Sequence, residues 1–291
     1  MSRRVLAVLV AAVTLVGTAG AATATPVAAS TTANGADPTP STYLALGDSL
    51  AAGYQPGLGE NRSGGYVGQV LSGLNTASHP TELVNLACSG ETAASMVSGG
   101  HCDTYPAGSQ LAQALDYLRA NPGRTSVITI DIGANDIQRC VVAGSIDTTC
   151  VAAGMAEVHT NLRLILNRLR DAAPHAEIVA LTYYDPFLAA WLLGPGGQAL
   201  ATQSLAIGDA LNVQIERAAE RQRVDVADVA KEFRTHTWRT VQSGAFGPVP
   251  KNVDLICSWT WMCTAADIHA NDAGYAALAR TVLATLGIAV F

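Results

Sequence analysis

The chain lacks any run or stripe of basic residues. Its 291 residues hold 17 Lys plus Arg against 23 Asp plus Glu, a formal net charge of −6. Nucleic acid and anionic membrane surfaces, which are held first by clustered positive charge, are therefore excluded as partners. A membrane span is missing too: the apolar stretch Val5 to Val16 falls well short of the roughly 20 residues that cross a bilayer. No CxxC or HxxxH spacing occurs, which removes the common zinc patterns. The glycine-rich stretch around Gly57, Gly59, Gly64 and Gly65 has no Walker lysine and does not follow the GxGxxG strand-to-helix pattern, so it reads as a surface loop. There is no GxSxG elbow, against an ordinary α/β-hydrolase, and no internal repeat.

What is present begins with an export signal. Arg3 and Arg4 precede the apolar run, and Ala19, Gly20 and Ala21 follow it as small residues suited to cleavage. Residues 1–29 are expected to be a signal peptide cut somewhere in 21–29, and 30–40 a flexible Ala/Thr/Pro-rich leader. Residues 41–291 are expected to form one domain. Losing the two arginines takes the formal charge to −8. Six cysteines, an even number in an exported chain, argue for disulfides. They fall in three local couples, and nearest-neighbour pairing is expected: Cys88–Cys102, Cys140–Cys150 and Cys257–Cys263.

Five short, mostly continuous apolar runs read as strands buried on both faces: Thr42 to Leu46, Glu82 to Leu86, Ser126 to Ile132, Glu177 to Thr182 and Val224 to Asp228. Helix-like stretches alternate with them at Tyr66 to Leu74, Gly108 to Ala120, Val151 to Ala173 and Gly197 to Arg221. A final helix runs from Asn271 to Leu286, with Asn271 as N-cap and Gly287 as stop. In the third stretch Leu162, Ile165, Leu166 and Leu169 make one apolar face. Alternation of this kind gives an α/β class with a mostly parallel five-stranded sheet covered on both sides. Such sheets bind ligands beyond the carboxyl ends of their strands.

That rule filters the polar residues. Ser49 in YLALGDSLAAGY stands where the first strand ends, in a turn that offers exposure and free backbone amides. A serine hydroxyl is a poor nucleophile without a general base and oxyanion donors, and an isolated serine at this place is more often a helix cap. Of six histidines, His79 and His175 precede strands and His159 lies within a helix. His101, His236 and His269 follow strands, and His269 sits in a loop just before the last helix.

Four blocks now stand in order: GDSLAAGY around Ser49, NLACSGET around Gly90, IGAND around Gly133 and Asn135, and DIHANDAGY around His269. In these the chain resembles the SGNH hydrolases, also called GDSL esterases and lipases, over Thr42 to Tyr275. The resemblance implies a three-layer α/β/α flavodoxin-like domain and ester hydrolysis through an acyl-serine, with Ser49 as nucleophile and His269 as base. It further implies that the amides of Ser49 and Gly90 and the side chain of Asn135 donate to the oxyanion. No cofactor or metal is implied, and the expected partner is a small-molecule or lipid ester met by a monomer without a stable membrane anchor. A carbohydrate acetylesterase or acyltransferase on the same site, and a non-catalytic binding protein of this fold, remain alternatives.

The chain departs from the family pattern at one place. The acid usually three residues before the histidine is replaced by Ala266, and Asp267 stands two before. Either Asp267 or a backbone carbonyl is left to hold the imidazole. Asp48 and Asp136 read as carboxylates that organise loop backbone. Each cysteine couple is placed in a loop after a strand, near one element of the site. Trp259 and Trp261 line a pocket or pack the third disulfide loop, and Tyr183 to Gly197, with Phe187, Trp191, Leu192 and Leu193, forms an acyl wall or a buried helix start.

Overall fold

In the computed structural model, residues 40–75, 79–142 and 145–289 are described. The expected signal peptide, residues 1–29, and all of the expected leader except Pro40 lie outside the described residues. Five strands form one wholly parallel sheet: β1 (Ser41–Gly47), β2 (Thr81–Asn85), β3 (Thr125–Asp131), β4 (Glu177–Leu181) and β5 (Asp225–Ala227). Their order is β2-β1-β3-β4-β5. The central strands β1 and β3 are buried almost throughout, as their unbroken apolar runs require, while the edges are short, five residues in β2 and three in β5.

This order decides where the helices go. Right-handed crossovers send the β1-to-β2 connection to one face, and the three connections that return toward β5 to the other. Helix α1 (Gly65–Leu74) accordingly packs against the C-terminal helix α5 (Asp272–Thr285). On the opposite face α3 (Thr148–Ala172) packs with α2 (Gln110–Ala120) and α4 (Pro195–Gln222). The face expected on α3 is buried at Leu162, Ile165, Leu166 and Leu169. That helix starts three residues earlier than its apolar pattern indicates, because the Asp147 carboxylate caps it by accepting the Thr149 and Cys150 amides. Asn271 caps α5 in the same way, through the amides of Ala273 and Gly274. No described helix is long and apolar enough to cross a membrane.

Between these elements lie pieces that the apolar pattern did not announce. Val141–Val142 pairs with Ser145–Ile146 as a small antiparallel ribbon, and Pro186–Leu193 is a 3₁₀ helix. Short helices cover Ala93–Ser98, Ala134–Gln138, Lys251–Trp259 and Met262–Ala265. The three disulfides are Cys88–Cys102, Cys140–Cys150 and Cys257–Cys263. The expectation that all the cysteines lie in loops is corrected here. Cys150 is in the first turn of α3, Cys257 is buried on the helix Lys251–Trp259, and Cys263 is on Met262–Ala265.

The register brings β1 and β3 to a common edge, with Leu46 beside Ile130 and Gly47 beside Asp131. Strand order reverses between these two strands, the switch point at which doubly wound sheets bind ligands.

Candidate active site

The turn after β1 exists because Gly47 has φ +140°, and any Cβ there would run into the Asp131 carboxylate. Gln110 holds this glycine from above and below: Gly47 N–H donates to Gln110 Oε1 at 2.7 Å, and Gln110 Nε2 donates to the Gly47 carbonyl at 3.0 Å. Asp48 N–H donates to Asp131 Oδ1 at 3.1 Å. The Asp48 carboxylate in turn accepts the Leu50 amide at 3.0 Å and the Tyr183 hydroxyl at 2.7 Å. Ser49 is thus fixed between two anchored residues and is nearly buried.

His269 arrives from the loop before α5. Trp261 N–H donates to the His269 carbonyl at 3.0 Å, Tyr184 OH donates to the Ile268 carbonyl at 2.8 Å, and the Tyr54 ring lies 4.4 Å from the imidazole. So held, His269 Nε2 is 2.8 Å from Ser49 Oγ, and its Nδ1 is 2.7 Å from Asp267 Oδ1. The same carboxylate oxygen accepts the His269 backbone amide at 2.9 Å. Ala266 adopts the left-handed conformation, φ +51°. That local turn is how an acid only two residues before the histidine lies against Nδ1, and of the two choices the sequence left open the carboxylate occupies the position.

The oxyanion candidates come from the loops after β2 and β3. Gly90 has φ +84°, and a Cβ on it would meet His101 Nε2 at 2.6 Å. That imidazole nitrogen is 2.9 Å from the Ser89 carbonyl. Asn135 sits in the helix Ala134–Gln138, and its Nδ2 donates to the Glu91 carbonyl at 2.9 Å. One amide hydrogen so used leaves the second for a ligand. Asp136 Oδ2 accepts the Ala93 amide at 2.9 Å, joining the two loops. Ser49, Asn135 and His269 line one cleft; Gly90 is not among its lining residues.

Burial dominates the electrostatics beneath the site. It pushes Asp48 up to about 6, against the hydrogen bonds from Leu50 and Tyr183, and raises Asp131 well above the carboxylate range, with the neighbouring Asp48 charge adding to the effect. Asp131 Oδ2 has no hydrogen-bond partner among the described residues. Asp136 is raised by burial as well, opposed by the Ala93 amide. On the cleft wall Asp185 is pushed up to about 6 for the same reason, although Ser204 and the Phe187 amide donate to it.

Other sequence candidates fall elsewhere. Phe187 lines the cleft, but Trp191 packs on Trp238 at 5.1 Å and Leu193 faces solvent. Trp259 packs edge-on against Phe233, and Trp261 donates to Gln55; neither lines the cleft. His159 is bonded to Gln214 and His236 to Asp209. His101 lies beside Cys88 and Cys102, but the bond between those two sulfurs leaves no thiolate for a metal. Sequence reasoning missed Tyr54, the ribbon residues Val141 and Ile146, and the α4 face at Ser204, Ile207, Gly208 and Leu211. For the α4 face, a glycine in the middle of a long helix was the readable signal.

A hydroxyl, an imidazole and a carboxylate thus stand in hydrogen-bond series at the switch point of a 2-1-3-4-5 sheet in a three-layer α/β/α fold, the geometry that serine–histidine–acid chemistry requires. Residues 45–277 match the model of the GDSL-like Lipase/Acylhydrolase family, and the chain belongs to that family. Among solved structures, a GDSL-like protein from Parabacteroides merdae ATCC 43184 superposes with a TM-score of 0.53 at 16% identity, covering 86% of this chain and 96% of that one. The lipase Lip_vut3 from a goat rumen metagenome gives 0.50 at 18% identity, covering 84% and 97%. At such identities the likeness is one of fold. No curated protein matches the chain in sequence.

Proposed function

We propose that the protein is an exported serine esterase or lipase whose domain, residues 41–291, hydrolyses carboxylic esters through an acyl-Ser49 intermediate. The observation that carries this reading is the continuous series Asp267–His269–Ser49 at 2.7 and 2.8 Å. His269 Nε2 takes the hydroxyl proton as Ser49 Oγ bonds to the ester carbonyl carbon. The tetrahedral oxyanion is received by the amides of Ser49 and Gly90 and by Asn135 Nδ2. When the carbon–oxygen bond to the alcohol breaks, His269 returns its proton to the leaving oxygen. Water then attacks the acyl-serine with the same help, releasing the acid and restoring Ser49. Asp267 holds the imidazole in the required tautomer and stabilises the imidazolium that forms.

Three disulfides support export, because such bonds persist in oxidising compartments. A fluorophosphonate probe tests the chemistry: Ser49 is expected to be labelled covalently in the wild type, with labelling and turnover lost in Ser49→Ala and His269→Ala. Full activity in His269→Ala overturns the assignment, and failure of the wild type to label favours a binding protein on this fold.

A further inference from the structure

Beyond the reacting groups, the cleft is a trough lined mostly by apolar side chains from two elements. One is the ribbon, where Val141 and Ile146 are a cross-strand pair whose side chains share a face, and Ile137 lines the same cleft. The other is the face of α4 that presents Ile207, Gly208 and Leu211, with Ser204 and the Asp185 carboxylate it bonds beside them. The ribbon grows directly out of the helix that carries Asn135, and the Cys140–Cys150 bond closes it at its base.

Gly208 is the unusual member. It lies well inside a 28-residue helix, where a glycine weakens the helix relative to alanine and needs a reason. Its φ lies outside the left-handed range, so the backbone does not require it. Close packing does not require it either: a Cβ built there meets a single heavy atom within 4 Å, the Asp185 Cβ at 3.9 Å, an ordinary contact. Gly197 in the same helix is different, since a Cβ there runs into the Ala190 carbonyl. What the missing side chain at 208 leaves is open space in the wall of the cleft that holds Ser49.

We infer that this trough takes the acyl chain of the substrate, a straight alkyl chain of medium length, and that Gly208 is the specificity-determining residue that keeps it open. The inference rests on the esterase reading above and narrows its substrate class. An acetyl group leaves the trough empty, whereas an alkyl chain lying between Gly208 and the ribbon removes apolar surface on both sides from water, at a gain for each methylene. Filling the trough is therefore expected to discriminate by chain length and leave the chemistry intact.

The test uses activated esters of one alcohol, p-nitrophenol, with acetyl, butanoyl, octanoyl and dodecanoyl chains, on the wild type, Gly208→Leu and, from the opposite wall, Val141→Phe. For the wild type, kcat/KM is expected to be at least tenfold higher for octanoyl than for acetyl. In Gly208→Leu the octanoyl value is expected to fall tenfold or more, with the acetyl value and the rate of Ser49 labelling by a small fluorophosphonate within twofold of wild type. Its melting temperature is expected to be unchanged or raised, since a helix glycine is replaced. Val141→Phe must shift the preference in the same direction, which keeps the test decisive if the leucine variant does not fold. Equal losses for acetyl and octanoyl esters in both variants overturn the inference. So does a wild type indifferent to chain length. A wild type that neither labels nor turns over any ester removes the esterase reading itself, a separate result.

Discussion

At the residue scale the acid behind His269 has two tasks in one oxygen. Asp267 Oδ1 accepts both the imidazole Nδ1–H and the His269 backbone amide, so it sets the ring's tautomer and the path of the loop together. Asp267→Ala is expected to lower kcat by about 10⁴-fold, the loss typical when the orienting acid of a serine–histidine pair is taken away. A dyad held by a backbone carbonyl predicts instead a loss of less than about tenfold, and steady-state kinetics with thermal melting as a folding control separates the two. Asn135→Ala is expected to cost about 10²- to 10³-fold in kcat with little change in KM, because its free amide hydrogen meets charge that exists only in the transition state. Ser49, Asn135 and His269, which the structure brings to one cleft, could be singled out in the sequence because each stands in a short block that matches a family motif; Gly90, which does not line that cleft, could be singled out in the same way. The place of Asp267 could not, since it depends on a left-handed turn at Ala266, an alanine that carries no local sign of that conformation.

Among elements, the five strands and five long helices were legible because burial on two faces, or on one helical face, imposes a period on the apolar residues. The ribbon Val141–Ile146, the 3₁₀ helix and the short helices that carry the cleft were not. They are too short to show a period and are held by long-range contacts and disulfides instead. The segment joined by Cys257 and Cys263 shows how such pieces serve the site. It includes Trp261, whose amide holds the His269 carbonyl and whose own carbonyl accepts the Ala265 amide, while the Trp259 carbonyl accepts the Asn271 amide at the cap of α5. A bond across a separation of six residues is worth about 2 kcal/mol by loop entropy. Replacing both cysteines by serine is expected to reduce stability by about that amount in urea titration and to lower kcat more than it changes KM, because the loop that sets the histidine is loosened. A variant with wild-type kcat would show that the bond acts on stability alone.

For the whole molecule, the buried carboxylates set a pH dependence of stability opposite to the usual acid weakening. Asp48 and Asp185 stand at about 6 in the folded protein against an ordinary value of 3.8, and Asp131 is displaced in the same direction, each because burial penalises its charged form. A carboxyl raised on folding binds its proton more tightly in the native state than in the unfolded chain. Its contribution is fully present below the unfolded value and is lost as pH rises through about 6. These groups are therefore expected to lower stability as pH rises from about 4 to just above 6, where carboxylates stabilised in the folded state would raise it. Asp185 is the clean probe, since it takes no part in the chemistry and an asparagine fits its partners: Oδ1 still accepts the Phe187 amide, while Nδ2 donates to the Ser204 hydroxyl oxygen, whose own proton turns to the Ala201 carbonyl. Asp185→Asn is expected to raise the melting temperature at pH 7.5 and leave it nearly unchanged near pH 3.5, below the unfolded value. The difference is at most about 3 kcal/mol, from a displacement of roughly two pH units at 1.36 kcal/mol each. Denaturant titrations of the wild type and this variant across pH 3.5 to 8 measure it directly. A wild-type stability that rises over that range, or a variant with the wild-type slope, would mean that Asp185 is ionised at little cost where it lies. The cleft wall would then be far wetter than its apolar lining indicates.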